Sequence, residues 1–177
     1  MINIKSFIIT SVLLFCFGTQ AQIIDKKMSS GFRVAPARKI DVVIIHSVFN
    51  NSGGEFYDID LIIKQFARYG VSSHYLIGHG GEIYRLVNEK NIAYHAGKSS
   101  LPDGRTAVNR CSIGIELVCS FTEPITEQQM ESVVKLTKEI QARYKINYIL
   151  RHSDIASGRK TDPWNFDWDS YLSKLKP

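Results

Sequence analysis

Three short runs of aliphatic residues limit the fold more than any other feature: "IDVVIIHS" (residues 40–47), "CSIGIELV" (111–118) and "INYILRH" (146–152). Each is rich in Val, Ile or Leu and too short for an ordinary helix, so each reads as a strand. Segments of helical period separate them. "DIDLIIKQFARYG" carries apolar residues at Ile59, Ile62, Ile63 and Phe66, with Asp58 placed to cap its start and Gly70 its end. "TEQQMESVVKLTKEIQARY" is the clearest helix. Thr126 and Gln129 form a capping box, and Met130, Val133, Thr137, Ile140 and Tyr144 mark one face. "SSHYLIGHGGEIYRLV" reads as a hairpin turning at Gly80–Gly81, and a short helix over about 167–175 closes the chain. Strands alternating with helices give an α/β domain, a mixed central β-sheet flanked by helices.

The rest of the chain carries less pattern. Residues 22–38 show no periodicity and are expected as an extended arm, and a long loop is expected over 91–111. The 177 residues, 44% hydrophobic and 22% charged, suffice for one domain with a core. That domain is expected over 39–177. The first 22 residues, "MINIKSFIITSVLLFCFGTQAQ", have one lysine and then an apolar stretch short for a membrane span. They read as a signal peptide cleaved after Ala21, which predicts a periplasmic or secreted protein with no stable membrane anchor. An uncleaved anchor is the alternative; a lipid anchor at Cys16 is disfavoured by bulky Phe15. Cys111 and Cys119 remain after cleavage. Along one strand they would stand roughly 26 Å apart at about 3.3 Å per residue, too far for a disulfide, so both are expected as free thiols. The formal net charge of +5 suits an anionic partner. No basic stripe with interleaved aromatics accompanies it, so nucleic acid is not an expected partner.

Two of the strand runs end in histidine, His46 and His152, and Asp162 follows His152 by ten residues. Two imidazoles and a carboxylate, with a fourth position left open, make the donor set of a catalytic zinc site. Lys160 lies two residues before Asp162. A cation there opposes metal binding, but it suits a site where a negative oxyanion must be stabilised.

"VIIHS", "VSSHYLIGHGGEIYRLV", "AYHAGKSS", "DGRTAVNRCSIGIELV" and "RHSDIASGRKTDPWNFDW" stand in this order along the chain. Together they resemble the zinc-dependent N-acetylmuramoyl-L-alanine amidases of the type 2 family, relatives of the peptidoglycan recognition proteins, over about residues 39–168. The resemblance implies that His46, His152 and Asp162 bind Zn2+. It implies that Glu116 takes a proton from the attacking water, and that Lys160 stabilises the oxyanion. It places His95 on the cleft wall, with Arg105 and Asn109 in the loop lining the substrate cleft, where Arg105 meets a peptide carboxylate. The implied reaction is hydrolysis of the bond between N-acetylmuramic acid and L-alanine in peptidoglycan or a muropeptide, by a monomer. The competing readings are a non-catalytic peptidoglycan receptor and an exported antibacterial toxin using the same chemistry. His79 is expected as an exposed turn residue, His74 as structural, and Tyr75 and Tyr84 as core. Trp164, where Gly is common, is expected to pack, or else to narrow the cleft.

Overall fold

The computed structural model describes residues 20–35 and 37–176. In chain order the strands are β1 (Ile23–Asp25), β2 (Phe32–Arg33), β3 (Val42–Val48), β4 (Tyr75–Ile77), β5 (Ile83–Arg85), β6 (Ile92–Ala93), β7 (Ser112–Val118) and β8 (Tyr148–Arg151). The helices are α1 (Ile59–Tyr69), α2 (Glu127–Arg143), α3 (His152–Ile155) and α4 (Trp168–Leu175). Six strands form one sheet in the order β1-β5-β4-β7-β3-β8, while β2 and β6 pair separately. Within the large sheet β4 and β5 are antiparallel and the other neighbours parallel, so the sheet is mixed.

The central strands β3 and β7 are buried along their whole length, and side chains alternate between two faces. On one face Val43, Ile45, Ile113, Ile115 and Leu117 join Val133, Leu136 and Ile140 of α2 and Tyr171 of α4 in the largest apolar cluster. The other face is split. Val48, Leu76 and Val118 pack with Ile62 and Phe66 of α1, while Val42 and Ile44 pack with Ala96, Leu101, Val108 and Ile155. Between these two apolar clusters, on the same face, lie His46 and Glu116.

Local chemistry fixes the helices where the sequence places them. Asp58 accepts from the Leu61 amide, and Gly70 ends α1 in the left-handed conformation at φ 64°. Thr126 and Gln129 form the reciprocal capping box. The Gln129 side chain is buried, and its Nε2 donates to the carbonyls of Ile77 and Val118, tying α2 to β4 and β7.

Other expectations change. The segment expected as an extended arm contributes β1 and β2; β1 pairs in parallel with β5 and forms one edge of the large sheet. Strands of three and two residues are too short to show a period. β3 runs two residues beyond His46, because Ser47 and Val48 pair with Leu117 and Val118. His152 begins α3 rather than ending β8. His79 is half-buried and stacks on Tyr57 with ring centroids 4.7 Å apart, so it is not a free turn residue. Tyr75 is core as expected, whereas Tyr84 is only partly buried. Cys111 and Cys119 are free thiols.

Thr126 caps α2 and also donates to the His79 carbonyl at 2.9 Å. Thr126→Ala is therefore expected to cost about 1–2 kcal/mol, read as a lowered denaturant midpoint with an unchanged slope.

Candidate metal centre

Register builds the first part of the site. His46 on β3 is the direct partner of Glu116 on β7, so an imidazole and a carboxyl stand side by side on the face between the two apolar clusters. α3 and its following loop supply the rest. The Ser153 amide donates to the Asp162 carbonyl at 2.9 Å, folding the loop back so that Asp162 returns beside His152. The turn between them is closed by the Arg159 and Lys160 amides, both donating to the Ala156 carbonyl.

The structure thus brings His46, His152 and Asp162 together, all three buried. One ligand atom from each lies within 4.8 Å of the other two. Asp162 Oδ2 is 3.0 Å from His152 Nδ1 and 3.5 Å from His46 Nδ1. His152 Nε2 donates to the Ala96 carbonyl at 3.3 Å, which leaves Nδ1 as the atom aimed at Asp162. Two imidazole nitrogens and a carboxylate oxygen converge, and only a proton or a cation can sit among them. The donor set fits Zn2+, with room for a further ligand on the cleft side.

Burial shapes the charges. It lowers His46 to about 4, opposed by the neighbouring Asp162 carboxylate. Burial alone would raise the Asp162 carboxyl, yet the two imidazoles hold it well below the usual carboxylate range. Glu116 is pushed well up, first by burial and then by the Asp162 charge, against the pull of Lys160. A carboxyl raised in this way is suited to taking and returning a proton near neutral pH.

The cleft has a volume of about 380 Å³ and is lined by these groups together with Lys160, Tyr94 and Trp164. Lys160 is exposed on this wall. His95 also lines the cleft but is buried, its Nδ1 2.9 Å from His46 Nε2 and its Nε2 3.1 Å from Ser112 Oγ. Asn109 serves the wall with its side chain, whose Oδ1 accepts from the backbone amides of His95 and Ala96. Arg105 is not brought to the cleft. Its guanidinium donates to both Asp41 oxygens at 3.0 and 3.1 Å and to Asp103 at 2.9 Å, so it is committed elsewhere. His74 is structural, accepting from the Gly114 amide and hydrogen-bonded to the Asn91 carbonyl. Trp164 packs on Phe121 as expected, with ring centroids 4.2 Å apart, and also lines the cleft. Sequence reasoning missed Ser112 and also Arg159, which donates to the carbonyls of Ala96 and Lys98 and pins the opposite wall. Their only signal was position, Ser112 standing four residues before Glu116 on the same strand face.

A family model described as N-acetylmuramoyl-L-alanine amidase matches residues 36–165. The chain belongs to this amidase family. The 1,6-anhydro-N-acetylmuramyl-L-alanine amidase AmpD of Haemophilus influenzae is 44% identical over 110 residues, covering 60% of this chain and 59% of that protein. The N-acetylmuramoyl-L-alanine amidase AmiD of Escherichia coli is 34% identical over 143 residues, 71% of this chain and 49% of the relative. The chain therefore spans about half to three-fifths of the length of these curated relatives. A selenomethionine AmpD crystal structure superposes with a TM-score of 0.72 at 28% identity, covering 90% of this chain and 97% of that one. AmiD in complex with anhydro-N-acetylmuramic acid-L-Ala-D-gamma-Glu-L-Lys gives 0.66 at 32% identity, over 80% of this chain and 60% of that one.

The amidase family places one expectation differently. The AmpD relatives are cytoplasmic amidases, which overturns the periplasmic or secreted location inferred from the apolar N-terminus. Apart from its last residues, the segment read as a signal peptide lies outside the described residues. Among the described residues no helix is long and apolar enough to cross a membrane.

The buried histidines predict a pH dependence. Burial lowers His46 to about 4 and His74 to about 3, and takes His95 well below its ordinary 6.5. As pH falls through 6.5 the unfolded chain binds protons that the folded protein refuses. The stability from burying these rings neutral is therefore whole above about pH 6.5 and is lost progressively toward pH 4 and 3. Denaturant midpoints of the metal-free protein across this window are expected to fall with pH; a flat profile between 7 and 4 would contradict the reading.

Proposed function

We propose that the chain is a zinc amidase that hydrolyses the bond between the lactyl carbonyl of N-acetylmuramic acid and the amino group of L-alanine. The observation that carries this reading is the meeting of His46, His152 and Asp162 with Glu116 at one end of a cleft that Lys160 also lines. Enzymes of this family are zinc-dependent. Bound at His46, His152 and Asp162, zinc would supply a water of lowered pKa and a Lewis acid beside the scissile carbonyl.

The remaining work falls to this chain's own side chains. Glu116 accepts the proton of the attacking water and returns it to the departing L-alanine nitrogen. Its raised affinity for protons lets it hold that proton between the two steps. The Lys160 ammonium, exposed on the cleft wall, meets the negative charge that develops on the carbonyl oxygen. His95 and Asn109 build the wall behind the centre, whereas Arg105, paired with Asp41, is left out of substrate binding. The names of the AmpD relatives and the ligand solved with AmiD favour a 1,6-anhydro-terminated muropeptide as substrate. The segment 39–177, with the strands before it, would form the catalytic domain.

Incubation of the zinc-loaded protein with an anhydro-muropeptide, followed by mass spectrometry, is expected to release a stem peptide beginning with L-alanine, and a chelator is expected to abolish release. Glu116→Gln should keep its zinc and lose roughly 100- to 10,000-fold in rate. Lys160→Ala should lose roughly 100- to 1,000-fold. Intact substrate from the zinc-loaded wild-type protein would overturn the assignment.

A further inference from the structure

We propose that Ser112 is a positioning residue for the metal centre, acting through His95 to fix His46 in the tautomer whose Nδ1 is bare toward Asp162. The inference rests on the reading of His46 as a zinc ligand. It starts from one carbonyl. Ser112 Oγ is 2.7 Å from the Val108 carbonyl oxygen, and a carbonyl can only accept, so the single hydroxyl proton is spent there. Toward His95 Nε2, at 3.1 Å, the same oxygen must then accept, so His95 Nε2 carries a hydrogen. In a neutral imidazole the other nitrogen is then a lone pair. That lone pair, His95 Nδ1, is 2.9 Å from His46 Nε2, which must therefore donate. His46 Nδ1 is left as a bare acceptor 3.5 Å from Asp162 Oδ2, the arrangement a cation completes.

The strand that carries Ser112 is shaped for this relay. Residues 112, 114 and 116 share one face of β7. Ser112 supplies the oxygen, Gly114 supplies space, and Glu116 supplies the carboxyl beside His46. A Cβ on Gly114 would stand 2.5 Å from His95 Cγ and 2.7 Å from Nδ1, so the imidazole occupies the volume that any larger residue would fill. Asn109 holds the His95 and Ala96 amides from the other side. The ring cannot turn away from its two partners, and all members of the relay are buried. His152 reaches the same end directly, with its Nε2 on the Ala96 carbonyl. The two ligand histidines are thus each oriented by a backbone carbonyl, one directly and one through two side chains.

Removing the Ser112 hydroxyl leaves the His95 Nε2–H without an acceptor. The relief open to the ring is to carry its proton on Nδ1 instead, which makes His46 Nε2 an acceptor and moves the His46 proton to Nδ1, where the metal must bind. The test compares wild type, Ser112→Ala and Ser112→Thr. Zinc affinity is measured by competition with a chromophoric chelator, and the His46 ring tautomer by 15N NMR of the zinc-free proteins near neutral pH. Ser112→Ala is expected to bind zinc about 10- to 100-fold more weakly and to shift the His46 hydrogen from Nε2 to Nδ1, with unchanged far-ultraviolet circular dichroism. Ser112→Thr, which keeps the hydroxyl, should retain the wild-type affinity and tautomer. Equal zinc affinity and an unchanged 15N pattern in Ser112→Ala would overturn the proposal while leaving the ligand assignment intact. A wild-type protein that binds no zinc would instead remove the ligand assignment, and the role of Ser112 with it.

Discussion

The parallel pairing of β3 with β7 holds both the core and the site in place. It runs the full length of both strands, from Val42 against Ser112 to Val48 against Val118. Because side chains alternate, one register sets two surfaces at once. The odd-numbered residues bury against α2 and α4, and the even-numbered residues set Ser112, Gly114 and Glu116 beside Val42, Ile44 and His46. A slip of one residue would send His46 and Glu116 into an apolar layer and bring isoleucines to the cleft. The drive to bury Val43, Ile45, Ile113 and Ile115 therefore also specifies where the titratable groups stand. Core packing and site geometry are one constraint.

That constraint has an electrostatic consequence. Four histidines, Glu116 and Asp162 are all nine-tenths or more buried. Such groups are tolerated only when hydrogen-bonded, neutral or neutralised. His74 is satisfied by the Gly114 amide and the Asn91 carbonyl, and His95 sits between His46 and Ser112. Asp162 keeps its charge because two imidazoles face it. Among the described residues Glu116 has no comparable partner, and burial pushes its carboxyl toward the protonated form. Two carboxyls on one site thus acquire opposite tendencies from their surroundings, one fit to stay an anion and one fit to exchange a proton.

Much of this was legible in the chain because the signals were local. The Asp58 and Gly70 caps, the Thr126–Gln129 box and the Gly80–Gly81 turn each act within a few residues, and the structure shows each as expected. His46, Glu116, His152 and Asp162 could be picked out by residue type and motif, and they converge. What escaped depends on contacts between distant segments. Strands β1 and β2 are defined by their partners rather than by any period of their own. Arg105 sits in a loop expected to face substrate, but Asp41, far away in sequence and buried, captures it at 3.0 Å. Ser112 looks like an unremarkable small residue at a strand start until the 91–111 loop folds His95 onto it.

The same loop explains why a segment without periodicity belongs to the site. Arg38 precedes β3, and its half-buried guanidinium donates to the carbonyls of Glu89, Asn109 and Ser112. Partial burial lowers even this cation to about 10. Two of its acceptors belong to residues that hold His95 through their side chains. Ahead of β2, the Gly31 carbonyl accepts from Ser72 Oγ at 2.7 Å, and Ser72 lines the cleft. The chain before β3 thus reaches the metal centre in two steps, from Arg38 to Asn109 and Ser112, and from these to His95 and His46. Backbone carbonyls are suited to such relays because they accept in every protonation state. A ligand tautomer anchored on them is fixed by the fold and not by solvent, so the centre can be ready for its cation before the cation arrives.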